Sequence, residues 1–360
     1  MLIKDLSASW LERLKIRKRK PIKPASLVAF GSYVRNWINP HIGDADVETF
    51  DNGALKVFAE TVAAKCAPKT THEIVATVKK IISSAQDTNG NCLFPRSWNN
   101  DFILENVADI RDQHQPVCTK EMIQDAMRVR NAPTDKYRPI VALLLASGIR
   151  VGELVALRCG DDGEHSGWNQ ENSALAIRTT LWNGVEQSPK TLASIRMVDL
   201  SAPVNEMLAS YAAAFNKERG DYLFSTKRGT PIRPSRLGTY ALEKLGIPGF
   251  HSCRRWRVSY LKMIGTPDQL LKNWIGHSSG NDITARYDKS CEDREWRQSW
   301  ANKCGIGFDL PIPVTGAIRK PARPRKQSLT PAIPEEAAPH YQATDDDLAE
   351  IFTTPVSEVA

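Results

Sequence analysis

The sequence predicts a mainly α fold with a small antiparallel β-sheet (α+β), divided into two domains. Its 360 residues exceed the usual size of one domain. Apolar residues recur at helical spacing through the first hundred positions and again beyond residue 119. Two short β-prone runs, SALAIRTT and SIRMVDL, lie close together between turn-forming residues. We therefore expect a small helical domain followed by a larger helical domain that carries the sheet.

Residues 1–106 are predicted to form the small helical domain. The segment KPASLVAFGSYVRNWI has Pro24 in a suitable first-turn position. Its apolar residues share one helical face: Leu27, Phe30, Val34 and Trp37. The segment DNGALKVFAETVAAKC predicts a second helix, and TTHEIVATVKKIISSAQD a third. In the third helix Thr70 and Glu73 fit a capping box. Its apolar face contains Ile74, Val78, Ile81 and Ile82.

The polar, proline-bearing run RDQHQPVCTK predicts a linker at residues 107–118. The second domain is predicted to span residues 119–310, and Thr119 is suited to cap its first helix. There, DKYRPIVALLLASGIRVGELVALR predicts a helix, a turn at Gly148 and a second helix. The run YLFST predicts a further strand. Residues 311–360 are rich in proline, with a basic and then an acidic block, and predict a flexible tail.

Composition limits the classes of function. Lys and Arg exceed Asp and Glu by 48 to 41, a mild bias toward polyanions such as nucleic acid. Seven scattered cysteines without a C-x-x-C pair indicate free thiols in a reducing compartment and no zinc site. No signal peptide and no 18-residue apolar run is evident, so we expect no membrane association and a cytoplasmic location.

Two short motifs place ionisable side chains three residues apart. In GIRVGEL, Arg150 and Glu153 can meet on a helix, and in HSCRRWRVSY the same holds for His251 and Arg254. An arginine guanidinium offers a rigid fork of donors suited to phosphate oxygens. Taken singly, the first motif is better explained as an ordinary surface ion pair, and the second as a basic helix face with a satisfied histidine.

Two further segments complete the candidate residues. Lys190 lies in SPKTLASIRMVDL, between the β-prone runs, where a lysine is usually just solvated. In WIGHSSGNDITARYDKS, His277 stands ten residues before Tyr287. A phenol with an ordinary pKa of about 10 is a poor nucleophile, so Tyr287 needs a general base or cations that stabilise the transition state.

In chain order, these boxes resemble the signature of the tyrosine recombinase (phage integrase) family over roughly residues 119–300. The boxes are ASGIRVGELVALRCGDD, PKTLASIRMVDL, HSCRRWRVSY and WIGHSSGNDITARYDKS. The N-terminal region with WINPHIGDADVETF is similar to the core-binding domain of phage-type members. Cys253 stands where the family usually has leucine, and Arg255 and Trp256 also depart from its pattern. The interval from His277 to Tyr287 is one residue longer than the commonest spacing.

The resemblance implies a helical core-binding (SAM-like) domain and a tyrosine-recombinase catalytic domain that form a C-shaped clamp on duplex DNA. It implies that Tyr287 attacks a phosphodiester to form a 3′-phosphotyrosine. The other implied roles are charge neutralisation by Arg150 and Arg254, hydrogen bonding or proton transfer by His251 and His277, general-acid catalysis by Lys190, and orientation of Arg150 or His277 by Glu153. No metal or cofactor is implied.

The implied function is site-specific recombination that integrates or excises a phage or other mobile element. The implied partners are double-stranded DNA attachment sites, a homo-tetramer on DNA, and accessory DNA-bending or excision factors. Two alternatives remain open at this point. One is a type IB topoisomerase-like nicking-closing enzyme, which needs no synapse. The other is a non-catalytic DNA-binding protein, against which the complete set of catalytic side chains argues.

Overall fold

A computed structural model describes residues 1–109, 115–128, 130, 135–189, 192–277 and 287–311. The chain forms two compact units, Met1–Gln115 and Pro116–Ala360. The sequence-based domain boundaries at 106 and 118 stay a prediction, and the tail beyond residue 311 lies outside the described residues. Among the described helices, none combines the length and apolar character needed to cross a membrane. All seven cysteines are free thiols.

The first unit is helical, as predicted. Its α-helices are α1 (Ile3–Lys15), α2 (Pro24–Tyr33), α3 (Asn39–Ile42), α4 (Asn52–Ala63), α5 (Pro68–Ser83) and α6 (Asn100–Ile103). A π-helical stretch, Val34–Ile38, joins α2 to α3, so that the predicted helix continues to Ile42. The apolar faces of α1, α4 and α5 meet in one core, together with residues of the π-helical stretch.

The start of α5 differs from the prediction. Its four predicted apolar residues are buried, but the capping box of Thr70 and Glu73 is wrong. Pro68 occupies the first turn and Ala67 is the N-cap, which places Thr70 inside the helix. The Glu73 carboxylate instead accepts a hydrogen bond of 2.7 Å from the Tyr33 hydroxyl and so joins α5 to α2.

The second unit combines helices with two small sheets. Its α-helices are α7 (Lys120–Met127), α8 (Arg138–Ser147), α9 (Val151–Ala156), α10 (Ala202–Ala214), α11 (Pro234–Leu237), α12 (Phe250–Met263), α13 (Asp268–Ile275) and α14 (Arg294–Cys304). Its strands are β1 (Arg158–Cys159), β2 (Gly167–Asn169), β3 (Ala174–Ile177), β4 (Thr180–Trp182), β5 (Val185–Gln187) and β6 (Arg196–Asp199). The Thr119 hydroxyl caps α7 as predicted, accepting from the Met122 N–H.

The main sheet has the order β1-β2-β3-β6. The two β-prone runs form its antiparallel pair β3–β6, with Leu175 opposite Val198. β2 is also antiparallel to β3, whereas the two-residue β1 runs parallel to β2. β4 and β5 form a separate hairpin. This arrangement confirms the predicted mainly α fold with a small sheet.

The strand predicted for YLFST is wrong. Tyr222 makes an isolated bridge to Arg158, and Ser225 makes one to Pro231. Because the two ends of the run bond different segments, no continuous ladder forms. The apolar side chains between them, Leu223 and Phe224, are fully buried, and burial in the core explains their apolar character.

The buried helix α8 lies at the centre of the second unit, and its end positions the candidate site. All ten of its residues are buried. Gly148 ends the helix in the left-handed region, at φ +68°. A Cβ atom at Gly148 would lie 2.8 Å from Cδ1 of Ile275 and 3.2 Å from Cγ of Arg257. The bare glycine therefore allows α12 and the end of α13 to approach this turn closely.

Candidate active site

Arg254 joins three backbone segments of the second unit. From α12, its Nη1 donates a hydrogen bond of 2.9 Å to the carbonyl oxygen of Gly148, and its Nη2 donates one of 2.6 Å to that of Ile275. These carbonyls lie at the C-terminal ends of α8 and α13, where helices leave backbone oxygens without intrahelical partners. The guanidinium therefore holds the two helix ends together.

Arg150 and Glu153 form the pair that their spacing predicts. The Arg150 backbone N–H donates to Oε2 of Glu153 at 2.8 Å, and its Nη1 donates to Oε1 at 2.9 Å. The Glu153 side chain is buried, whereas that of Arg150 is 40% exposed. The Glu153 carboxylate thus fixes one edge of the Arg150 guanidinium, and the rest of the guanidinium remains accessible to a ligand.

Arg196 belongs to the same network, although the sequence motifs did not single it out. This buried β6 residue donates from Nη2 to Oε2 of Glu153 at 2.9 Å and from Nη1 to Oε1 at 3.1 Å. Burial raises the pKa of Glu153, but the hydrogen bond and charge of Arg196, followed by those of Arg150, outweigh burial and hold that pKa below its ordinary value. Glu153 therefore remains a carboxylate that binds two arginines.

His277 follows α13 and contacts Arg254. Its Nε2 lies 3.1 Å from Nη2 of Arg254. Burial lowers the pKa of His277 below its ordinary value, and the positive charges of Arg254, Arg150 and Arg196 lower it further. The imidazole is therefore held in its neutral form beside a cluster of cations.

The network carries an excess of positive charge. The guanidinium groups of Arg150 and Arg196 both pair with the carboxylate of Glu153, and that of Arg254 lies near enough to feel its charge. Burial, and then the nearby charge of Arg150, lower the pKa of Arg254 to about 10, which still leaves it protonated at neutral pH. Such a partly desolvated cationic site is suited to an anion, and its planar donor forks fit phosphate oxygens.

Of the other three predicted residues, His251 and Tyr287 lie among the described residues. His251 is an exposed residue of α12, three positions before Arg254. Tyr287 is 82% exposed, and its hydroxyl makes no hydrogen bond to a described residue. Lys190 lies outside the described residues. The structure thus joins Arg150, Glu153, Arg254 and His277, and the catalytic roles of all seven stay predictions.

Comparison with known proteins gives relatives of one kind. No protein-family model matches the chain. A prophage ps2 probable integrase of Lactococcus lactis is 25% identical over 173 residues, which cover 42% of this chain. The match spans 44% of that integrase, less than half of its length.

Solved structures resemble the chain in fold. A variant of the Tn1549 transposon integrase, in complex with a circular intermediate DNA, gives a TM-score of 0.61 at 17% identity and covers 77% of this chain and 92% of that one. A lambda integrase dimer bound to a core site gives a TM-score of 0.54 at 16% identity and covers 80% of this chain and 95% of that one. The chain therefore has the fold of the Tn1549 and lambda integrases, and the resemblance predicted from the sequence motifs is confirmed.

Proposed function

We propose that the protein is a site-specific DNA recombinase of the integrase type, which cleaves and rejoins DNA strands through a 3′-phosphotyrosine at Tyr287. One observation carries the proposal. Arg150, Arg254 and His277, from three separate elements, converge in one cationic site, in the chain order of the recombinase motifs. The integrase relatives favour this function over a topoisomerase-like enzyme or a non-catalytic DNA-binding protein.

The proposed cleavage step is a transesterification. The Tyr287 phenolic oxygen forms a bond to phosphorus as the bond from phosphorus to the 5′-oxygen breaks. The phenol loses its proton to a nearby base, and the leaving 5′-oxygen takes a proton from Lys190. Negative charge grows on the non-bridging oxygens, where Arg150 and Arg254 donate hydrogen bonds. A 5′-hydroxyl of a partner strand reverses the step, which conserves the phosphodiester energy.

The remaining residues support those donors. Glu153 holds the Arg150 guanidinium through Oε1 and its backbone N–H through Oε2. His277, neutral beside Arg254, hydrogen-bonds the phosphate or exchanges the phenol proton, and His251 assists from α12. Losing one donor to the developing charge typically slows such a reaction by ~10²–10³-fold. We therefore expect Arg150→Ala and Arg254→Ala each to reduce cleavage to that extent.

Tyr287→Phe tests the nucleophile. The variant should bind duplex DNA as wild type does and form no covalent adduct on a denaturing gel. Tyr240→Phe is the matched control, because Tyr240 is also a solvent-exposed tyrosine of the second unit. A covalent adduct formed by the Tyr287→Phe protein, or lost in the Tyr240→Phe protein, would contradict the assignment.

Lys190 can be tested through the leaving group. A substrate with sulfur in place of the bridging 5′-oxygen releases a thiolate, which needs no proton donor to leave. If Lys190 is the general acid, Lys190→Ala should slow cleavage of the ordinary substrate strongly and cleavage of the sulfur substrate little. Equal slowing of both substrates would assign Lys190 to another role.

The proposed partners are duplex attachment sites, four copies of the chain on DNA, and accessory DNA-bending or excision factors. Lambda integrase has been solved as a tetramer bound to a Holliday junction. We propose that residues 1–106 act as a core-binding domain, that residues 119–310 act as the catalytic domain, and that both contact duplex DNA in the cytoplasm. Recombination between two marked sites separates this function from DNA relaxation alone.

A further inference from the structure

Strand β6 carries two buried charged side chains, one at each end. Arg196 and Asp199 are each 6% exposed, in a strand of only four residues. Charged groups are rarely buried so deeply unless paired. Arg196 pairs with Glu153 of α9 and Asp199 pairs with Arg297 of α14, and both also bond Trp274 of α13.

Arg196 makes four hydrogen bonds, which reach both sides of the site. Two go to the Glu153 carboxylate, at 2.9 and 3.1 Å, and one from Nη1 goes to the Ser194 carbonyl oxygen. The fourth, from Nε, goes to the carbonyl oxygen of Trp274 at 2.8 Å. Glu153 in turn holds Arg150. One side chain of β6 therefore fixes the distance between Arg150 and the end of α13, just before His277.

Asp199 makes a second connection to the same tryptophan. Its Oδ2 accepts from the indole Nε1 of Trp274 at 2.8 Å and from Nε of Arg297 at 2.9 Å. Arg297 lies in α14, ten residues after Tyr287, and also donates from Nη1 to the Cys291 carbonyl oxygen at 2.6 Å. Asp199 thus binds a residue on each side of the segment that contains His277 and Tyr287.

Gly276 explains how closely Arg196 approaches that segment. It has φ +71°, and an added Cβ atom would lie 3.0 Å from both Cζ and Nη1 of Arg196. The glycine before His277 therefore packs directly against the guanidinium. The Gly-His pair of the sequence motif and the buried arginine of β6 form a single packed unit.

We propose that Arg196 and Asp199 are positioning residues of the recombinase: β6 fixes Arg150 through Glu153 and holds both ends of the segment that carries His277 and Tyr287. This inference rests on the proposed function. Neither residue contacts the DNA phosphate in the proposed step. Each keeps the side chains that do contact the phosphate at a fixed separation. This matters because a displacement of about 1 Å can slow an enzyme by ~10²-fold.

The first test measures covalent adduct formation at saturating duplex DNA, together with the Kd for that DNA. Arg196→Met should slow adduct formation by ~10²-fold, with the Kd changed less than about threefold, because positioning acts on the reaction step. Arg178→Met is the matched control. Arg178 forms a two-contact pair with Asp161 in the same unit, at 2.6 and 3.3 Å, and makes no hydrogen bond or ion pair with the site residues that the structure describes. Adduct formation by Arg196→Met at the wild-type rate would overturn the proposal.

A double-variant cycle separates positioning from general loss of stability. If Arg196 acts through Glu153 and Arg150, then Arg196→Met should slow covalent adduct formation by a much smaller factor in an Arg150→Lys background than in wild type. If Arg196→Met slows adduct formation by the same factor in both backgrounds, Arg196 does not act through Glu153 and Arg150. If Arg196→Met does not fold, Arg196→Lys takes its place in the cycle, because an ammonium group lacks the planar fork with which the guanidinium holds the Glu153 carboxylate through two bonds while its Nε bonds the Trp274 carbonyl oxygen.

Hydrogen exchange gives a readout that is independent of activity. Asp199→Asn keeps an acceptor for the Trp274 indole but loses the charge that pairs with Arg297. It should speed exchange in peptides covering Trp274 and residues 287–297, and leave α10 unchanged. Unchanged exchange would overturn the role of Asp199. Wild-type protein that forms no adduct would instead count against the proposed function, so the two failures are distinguishable.

Discussion

Nη2 of Arg254 lies 3.1 Å from Nε2 of His277, and this contact assigns the histidine tautomer. An arginine guanidinium can only donate, so Nε2 accepts and the ring proton is on Nδ1. A protonated imidazole would place two donors against each other. The contact therefore agrees with the lowered pKa of His277, which burial and then the neighbouring arginines cause.

We expect His277 to titrate below the ordinary histidine pKa of about 6.5 and to be neutral at pH 7. Arg254→Met should raise its pKa, because protonation no longer adds a positive charge beside another one. Arg219→Met removes the same charge from a residue that contacts Asp161 instead, and should leave the titration unchanged. NMR titration of the His277 imidazole measures the pKa in both variants. A midpoint unmoved by Arg254→Met would show that the contact does not exist in solution.

Gly276→Ala should disturb the site more than an equivalent change elsewhere. Gly276 and Gly246 both have φ +71°, so alanine costs ~1–2 kcal/mol of backbone strain at either position. At Gly246 the new Cβ atom meets nothing within 4 Å, whereas at Gly276 it lies 3.0 Å from the Arg196 guanidinium.

Both glycine variants should therefore lose stability in urea unfolding, but only Gly276→Ala should also lose most covalent adduct formation while folded. Because both variants carry the same backbone strain, the difference between them reports the contact with Arg196. Equal adduct formation by the two variants would show that Arg196 tolerates displacement.

The local parts of the site could be predicted from the sequence. Arg150 and Glu153 are only three residues apart, and the position of Arg150 as the N-cap of α9 puts the Glu153 carboxylate of the first turn within reach of its backbone N–H and its guanidinium. The burial of Ile74 and Val78 likewise follows from periodicity. The ends of elements were less predictable: Pro68 starts α5 two residues before Thr70, because a proline fits the first turn as well as a hydroxyl residue fits the cap.

The long-range parts could not be predicted. Arg196 is 43 residues from Glu153 and 78 from Trp274, and only the tertiary fold brings the three together. One signal was present in SIRMVDL, where Arg196 and Asp199 interrupt a mainly apolar run. In a strand buried at three of its four positions, such charges require internal partners.

The Thr119 cap offers a stability test at the start of the second unit. Its hydroxyl accepts from the Met122 N–H at 3.2 Å, and the residue is exposed, so Thr119→Ala removes the cap with little loss of packing. We expect the free energy of unfolding to fall by ~1 kcal/mol. Ser201 is the N-cap of α10 but makes no side-chain cap hydrogen bond, so Ser201→Ala should cost less. Urea unfolding followed by tryptophan fluorescence compares them, and equal losses would refute the cap's contribution.

The basic segment KIRKRKPIK gives a prediction about DNA affinity. Its residues from Lys15 to Lys20 are exposed, and each lysine that contacts a DNA phosphate adds ~0.9 to the slope of log affinity against log salt concentration. Lys18→Gln combined with Lys20→Gln should therefore reduce that slope by up to ~1.8 and weaken binding to all sequences alike.

Lys15→Gln is the control for the basic segment. The Lys15 ammonium already pairs with the Glu12 carboxylate at 2.7 Å, so it attracts phosphate less and its loss should change the slope less. Titrations of fluorescent duplex DNA at four salt concentrations measure all three proteins. A slope unchanged in the Lys18 and Lys20 double variant would mean that the segment lies away from the DNA, and that the affinity comes from cations elsewhere in the two units.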